Sequence, residues 1–166
     1  YKDREGNFWF NNRRSLDFVS RENVNAKLFF SGQKITRLNT INNVLYAGGE
    51  KGILYRYNQH KNDFVPELSF GTYVNSINPN QNILVAEGDV FEYKTGKWNK
   101  LNYPKYPYPN STSHFKNFVH YKDKEILLSA SSVYIFDREN TRNYKEINTS
   151  NLFSVIEFND KLYFGG

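Results

Sequence analysis

The 166-residue sequence contains no cysteine and no methionine. The first absence excludes disulfides, a thiol nucleophile and cysteine-ligated metal, and it leaves the compartment open. No run of 18 apolar residues occurs, so no stretch has the length and character of a membrane-spanning helix. Residues 1–30 lack the basic, apolar, small-residue order of a signal peptide, and the sequence reads as a soluble segment, either mature or excised. Charge is dispersed along the chain. The net charge is +5 without a basic cluster of four or more, which argues against a nucleic-acid or anionic-lipid partner.

Reactive constellations are equally scarce. The three histidines, His60, His114 and His120, are too few and too separated for a metal triad, and no acidic residue stands at ligand spacing, so neither metal nor cofactor is expected. No Gly-x-Ser-x-Gly elbow is present to expose a serine nucleophile. A carboxylate pair for glycoside cleavage is defined by its separation in space, which no sequence spacing supplies. No catalytic residue is assigned, and the segment is expected to be non-enzymatic. Helical periodicity is missing too, with residues 20–27 coming nearest in a short, Asn-rich stretch.

What the chain does have is aromatic volume, with 13 Tyr and 14 Phe, a mix suited to pleated surfaces. It also repeats. Short apolar strands align as Asn7-Phe-Trp-Phe-Asn-Asn12, Val44-Leu-Tyr-Ala-Gly-Gly49, Ile83-Leu-Val-Ala-Glu-Gly88, Ile126-Leu-Leu-Ser-Ala-Ser131 and Lys161-Leu-Tyr-Phe-Gly-Gly166. First positions at 7, 44, 83, 126 and 161 give spacings of 37, 39, 43 and 35. From the second copy onward, each is preceded across a polar turn by a shorter strand: Ile35-Thr-Arg-Leu38, Val74-Asn-Ser-Ile77, Phe115-Lys-Asn-Phe-Val119 and Phe153-Ser-Val-Ile156. That is hairpin chemistry.

A third strand follows at Ile53-Leu-Tyr-Arg-Tyr57, Val90-Phe-Glu-Tyr93 and Val133-Tyr-Ile-Phe136, and a fourth begins at Phe64, Trp98 and Tyr144. Four antiparallel strands per period of about 40 residues predict an all-β fold of propeller blades. The blades divide as a partial one over 1–34, complete ones over 35–72, 73–114 and 115–151, and the first hairpin of another over 152–166. Blades this short suit a ring of about six to eight, so the chain is expected to be part of a larger propeller.

Within this repeat, Asp3-x-x-Gly6-Asn7-x-Trp9-Phe10 is a tight turn feeding a strand. Asp3 is suited to capping the turn and Gly6 to its left-handed position, while Phe8 and Phe10 alternate with Asn7 and Trp9. The motif closely resembles the two-component regulator propeller repeat of extracytoplasmic sensor regions in bacterial histidine kinases and hybrid two-component proteins. Gly48-Gly49 with Gly52-Ile-Leu-Tyr-Arg-Tyr-Asn58 is a second copy, and Val133-Tyr-Ile-Phe-Asp137 keeps the third strand alone. The chain departs from the family at Asn11-Asn12, where the family has Gly-Thr, and at Arg14-Ser15-Leu16, where it has Gly-Leu. The resemblance implies a non-catalytic, ligand-sensing propeller in the periplasm. Its signal would pass by rigid-body or dimer rearrangement to a kinase across the membrane, with a small molecule or oligosaccharide as ligand and a homodimer formed through the full-length receptor.

Two other readings stand beside it: a protein-interaction or glycan-binding module, and a propeller lyase or glycosidase. Ligand contacts are expected from loops, because functional residues concentrate on loops held by a rigid scaffold. Meander topology puts loops 11–14, 48–52, 70–73, 87–89, 102–114 and 131–132 on one face, which makes Arg13, Arg14, Tyr73, Tyr103, Tyr106, Tyr108 and His114 the candidate ligand residues. Trp9 and Trp98 are read as packing between blades. The pair Gly48 and Gly49 is read as a turn needing positive φ.

Overall fold

In the computed structural model the protein is all-β, and the structure describes residues 1–2, 6–12, 15–19, 26–86, 88–103 and 115–166. The chain divides into two compact units, Tyr1–Val74 and Asn75–Gly166.

The first unit holds a three-stranded and a four-stranded antiparallel sheet. Strands β1 (Phe8–Asn12), β2 (Ser15–Val19) and β3 (Ala26–Phe29) form the smaller sheet in chain order. Strands β4 (Ile35–Ile41), β5 (Val44–Gly49), β6 (Ile53–Asn58) and β7 (Asp63–Ser69) form the larger. Period-2 alternation explains how they pack, since successive residues face opposite sides of a strand. Trp9, Leu16 and Phe29 of the smaller sheet meet Leu45, Ala47 and Phe64 of the larger in one buried cluster.

The second unit is built on the same plan. Strands β8 (Val74–Asn78), β9 (Ile83–Ala86), β10 (Asp89–Lys94) and β11 (Lys97–Lys100) make one four-stranded sheet, with β8 beginning at the last residue of the first unit. Strands β12 (Asn117–Tyr121), β13 (Lys124–Leu128), β14 (Ser132–Asp137) and β15 (Asn140–Asn148) make the next, and β16 (Ser154–Phe158) pairs with β17 (Lys161–Gly165). Ile83 and Val85 pack against Phe118 and Leu127. On the other side of the same sheet, Val119, Ile126, Leu128 and Val133 pack against Val155 and Leu162. Strand β9 is buried at every residue.

Asparagine does in these turns what glycine does elsewhere. Asn42 and Asn43 adopt φ of 48° and 65° in the two-residue link from β4 to β5, and Asn159 and Asp160 adopt 49° and 54° between β16 and β17. Positive φ at both central residues is the type I′ geometry that matches strand twist, and Asn and Asp tolerate it best among non-glycine residues. Gly6 has φ 86°, as its turn position requires.

Two expectations need correction. Gly48 and Gly49 lie inside β5 and neither has positive φ; the left-handed glycine of this segment is Gly52, at φ 74°. Gly48 is required for close approach, since a Cβ there would stand 2.5 Å from Cγ1 of Val74. The fourth strand of the last complete sheet starts at Asn140 rather than Tyr144, because a register shift after Phe136 pairs Asp137 with Asn140 while Phe136 pairs with Tyr144. The intervening residues form a bulge, which no local propensity announces.

Candidate functional site

Backbone hydrogen bonds join loops at the β5–β6 turn of the first unit and at the β13–β14 turn of the second. In the first, the Phe70 amide donates to the Gly52 carbonyl at 2.7 Å, and Tyr73 stands exposed beside this junction. In the second, the Thr149 amide donates to the Ser131 carbonyl at 2.8 Å. Of the other candidate residues, Arg13, Arg14, Tyr106, Tyr108 and His114 lie outside the described residues, as does Asp3.

Tyr103, one of the rings expected to face ligand, is half-buried on its own unit. Its ring packs on Phe118 and Phe136, at centroid distances of 5.5 and 5.7 Å. Its hydroxyl donates to Glu125 Oε2. Glu125 is 6% exposed, and its other oxygen lies 3.3 Å from His120 Nδ1 and 3.8 Å from Arg138 Nε. Burial alone would raise the Glu125 pKa, but the contacts from His120 and Tyr103, with the Arg138 charge behind them, hold it below the ordinary carboxylate range. Burial, reinforced by the neighbouring carboxylate, pushes the Tyr103 phenol well up. This group ties the segment before β12 to β12, β13 and the β14–β15 turn. The Tyr103 hydroxyl supplies the hydrogen bond in this group, while His120 Nδ1 and Arg138 stand beside the carboxylate without one. Among the described residues, no group of three His, Cys, Asp or Glu could hold a metal ion.

Trp9 is a wedge between sheets. It is 4% exposed, and its ring meets Phe18 at 4.6 Å, Phe29 at 5.7 Å and Tyr57 at 5.7 Å. Trp98 is half-buried and lies edge-on to Tyr93 of the adjacent strand, centroids 5.1 Å apart.

Sequence reading did not point to the cleft that opens beside Trp9, whose volume is about 760 Å³. Its rim is made by the β4–β5 turn, with Asn42 and Asn43, and by the β6–β7 turn, with Asn58, Gln59 and His60. Phe18, Tyr57 and Leu45 line it from the sheets. These turns stand at the opposite end of the sheet from loops 48–52 and 70–73, as the Tyr46–Arg56 pairing of β5 with β6 requires. Each of these turns taken alone is a polar link between strands. The available signal was register: in an antiparallel meander the first and third turns project from the same end, so two amide-rich turns are brought together.

No family model matches the chain, and no curated protein matches it. Solved structures do. A chain of a crystallised mitotic checkpoint complex is similar over 99% of this chain and 55% of its own length, with a TM-score of 0.68 and 10% identity. The WD40 β-propeller domain of Doa1 is similar over 94% of this chain and 56% of its own, with a TM-score of 0.60 and 10% identity. PorZ, a bacterial surface component of the type-IX secretion system of Porphyromonas gingivalis, is similar over 99% of this chain and 29% of its own, with a TM-score of 0.53 and 12% identity. At such identities these likenesses define the fold alone. The protein is a β-propeller segment, and it spans about half the length of the first two structures.

Proposed function

We propose that this chain is a non-catalytic binding segment of a β-propeller in the extracytoplasmic sensor region of a bacterial two-component protein. The observation that carries the reading is the motif Asp3-x-x-Gly6-Asn7-x-Trp9-Phe10, with Gly6 in the left-handed region and Trp9 buried between sheets. Ligand bound between sheets acts on packed layers that move as bodies rather than deform, so it biases a rigid-body or dimer arrangement that a membrane helix passes to a kinase. The test is the coding sequence on either side of this segment. A membrane helix followed by a histidine kinase supports the proposal, and a gene with neither overturns it.

A second reading is favoured by the similarity to PorZ along 99% of this chain. On that reading the propeller is a structural or interaction module of a bacterial surface assembly. The same coding sequence would then carry an export signal and no kinase.

A further inference from the structure

We propose that the β8–β9 turn carries an amide clasp: the Gln81 side chain takes the place of a neighbouring strand along the free edge of β12 and ties the β8–β11 sheet to the β12–β15 sheet. The inference concerns the second unit alone and is independent of the sensor reading.

The argument begins with an edge. Strand β12 is the first of its sheet and pairs with β13 alone, so one side of its backbone has no strand to bond to. Side chains supply the partners. Gln81 Nε2 donates to the His120 carbonyl at 2.8 Å, and the His120 amide donates to Gln81 Oε1 at 2.7 Å. An exchange of both bonds with one residue is the pattern of an antiparallel strand pair, and a primary amide, with donor and acceptor side by side, reproduces it. Further back along the edge, the Phe118 amide donates to Asn117 Oδ1 at 2.8 Å, and the Phe118 carbonyl accepts from Asn78 Nδ2 at 3.5 Å. The Phe115 carbonyl accepts from Asn75 Nδ2 at 2.8 Å.

The turn that carries the clasp is itself anchored. Asn78 Oδ1 accepts from the Asn80 amide at 3.1 Å, and Pro79 restricts the backbone between them. On the other side of Gln81, the Asn82 carbonyl accepts from the Tyr93 amide at 2.8 Å, which ties the turn to β10. The apolar layer between the sheets, with Ile83, Val85, Phe118 and Leu127, attracts without direction. The bonds to His120 are directional, so they specify where β12 sits. His120 stands opposite Glu125 in the β12–β13 ladder, and Glu125 accepts from the hydroxyl of Tyr103, which follows β11. Both members of one cross-strand pair are therefore held from the chain of the β8–β11 sheet. A displacement of the β8–β9 turn is delivered to β12, and an extended segment that would add along this edge meets bonds already taken.

The test is amide hydrogen exchange of the whole chain, read residue by residue by NMR, in the wild type, Gln81→Ala and Gln81→Glu. Gln81→Ala removes both bonds. The His120 amide is then expected to exchange about tenfold faster or more, and the Asn80 amide across the clasp to rise with it, while amides within β13 and β14 change little. Gln81→Glu keeps the length of the side chain. Its carboxylate accepts from the His120 amide but has no proton for the His120 carbonyl; once protonated it carries one donor and one acceptor, as the amide does. Protection of His120 relative to wild type should therefore be low at neutral pH and recover as pH falls to about 5. The titratable and charged groups beside this position, His120, Glu125, Tyr103 and Arg138, are common to both proteins, and each pH is compared with wild type. His120 exchange unchanged in Gln81→Ala, a rise at His120 without one at Asn80, a rise spread evenly over every strand of the unit, or a Gln81→Glu deficit that ignores pH overturns the proposal.

Discussion

The indole of Trp9 stands edge-on to the ring of Phe64, with centroids 5.9 Å apart and planes at 81°. One residue belongs to the three-stranded sheet and the other to the last strand of the next sheet, so this contact joins the layers of the first unit. Edge-to-face geometry is the favoured arrangement for aromatic pairs. Trp9→Ala would leave a cavity among Phe18, Phe29, Tyr57 and Phe64, and it should cost about 3 kcal/mol or more of first-unit stability in denaturant unfolding. A cost under about 1 kcal/mol would show that the sheets are held together elsewhere.

Gly48 supplies a second check on packing. A methyl group there meets Val74 at 2.5 Å, so Gly48→Ala should destabilise by about 1–3 kcal/mol through overpacking. Because Val74 is the obstacle, Val74→Ala in the same chain should return part of that loss in a double-mutant cycle. Additive effects would locate the strain outside this pair.

The Glu125 group sets a pH window. The folded-state pKa of Glu125 is depressed, so its contribution is present above the ordinary carboxylate value and is lost as pH falls through the folded value. The folded-state pKa of Tyr103 is raised, so its contribution is present below the ordinary phenol value and is lost as pH rises beyond it. Stability measured against pH should therefore fall at both ends, below about pH 4 and above about pH 10. Glu125→Gln should flatten the acid limb and Tyr103→Phe the alkaline limb. Tyr103→Phe should also cost about 1–3 kcal/mol at neutral pH, since it leaves a buried carboxylate short of a donor.

The fold was legible because both of its periodicities are local. Alternation within strands and recurrence of a four-strand unit are properties of short windows, and short polar links such as Asn42-Asn43, Thr95-Gly96 and Asn159-Asp160, all at positive φ in the structure, separate the strands. Less was legible where two distant segments meet. Gly48 looked like a turn glycine because nothing in its neighbourhood names Val74 as the side chain that would collide with a Cβ. The start of β15 was misplaced because its bulge is set by pairing across to β14. The cleft was missed for a related reason. Asn42 and Gln59 become neighbours only once β5 and β6 are in register, and each alone reads as turn chemistry.

The sensor role rests on the motif Asp3-x-x-Gly6-Asn7-x-Trp9-Phe10, and the coding sequence on either side of this segment tests it most directly. A membrane helix followed by a histidine kinase is the predicted result, and a gene with neither would contradict it.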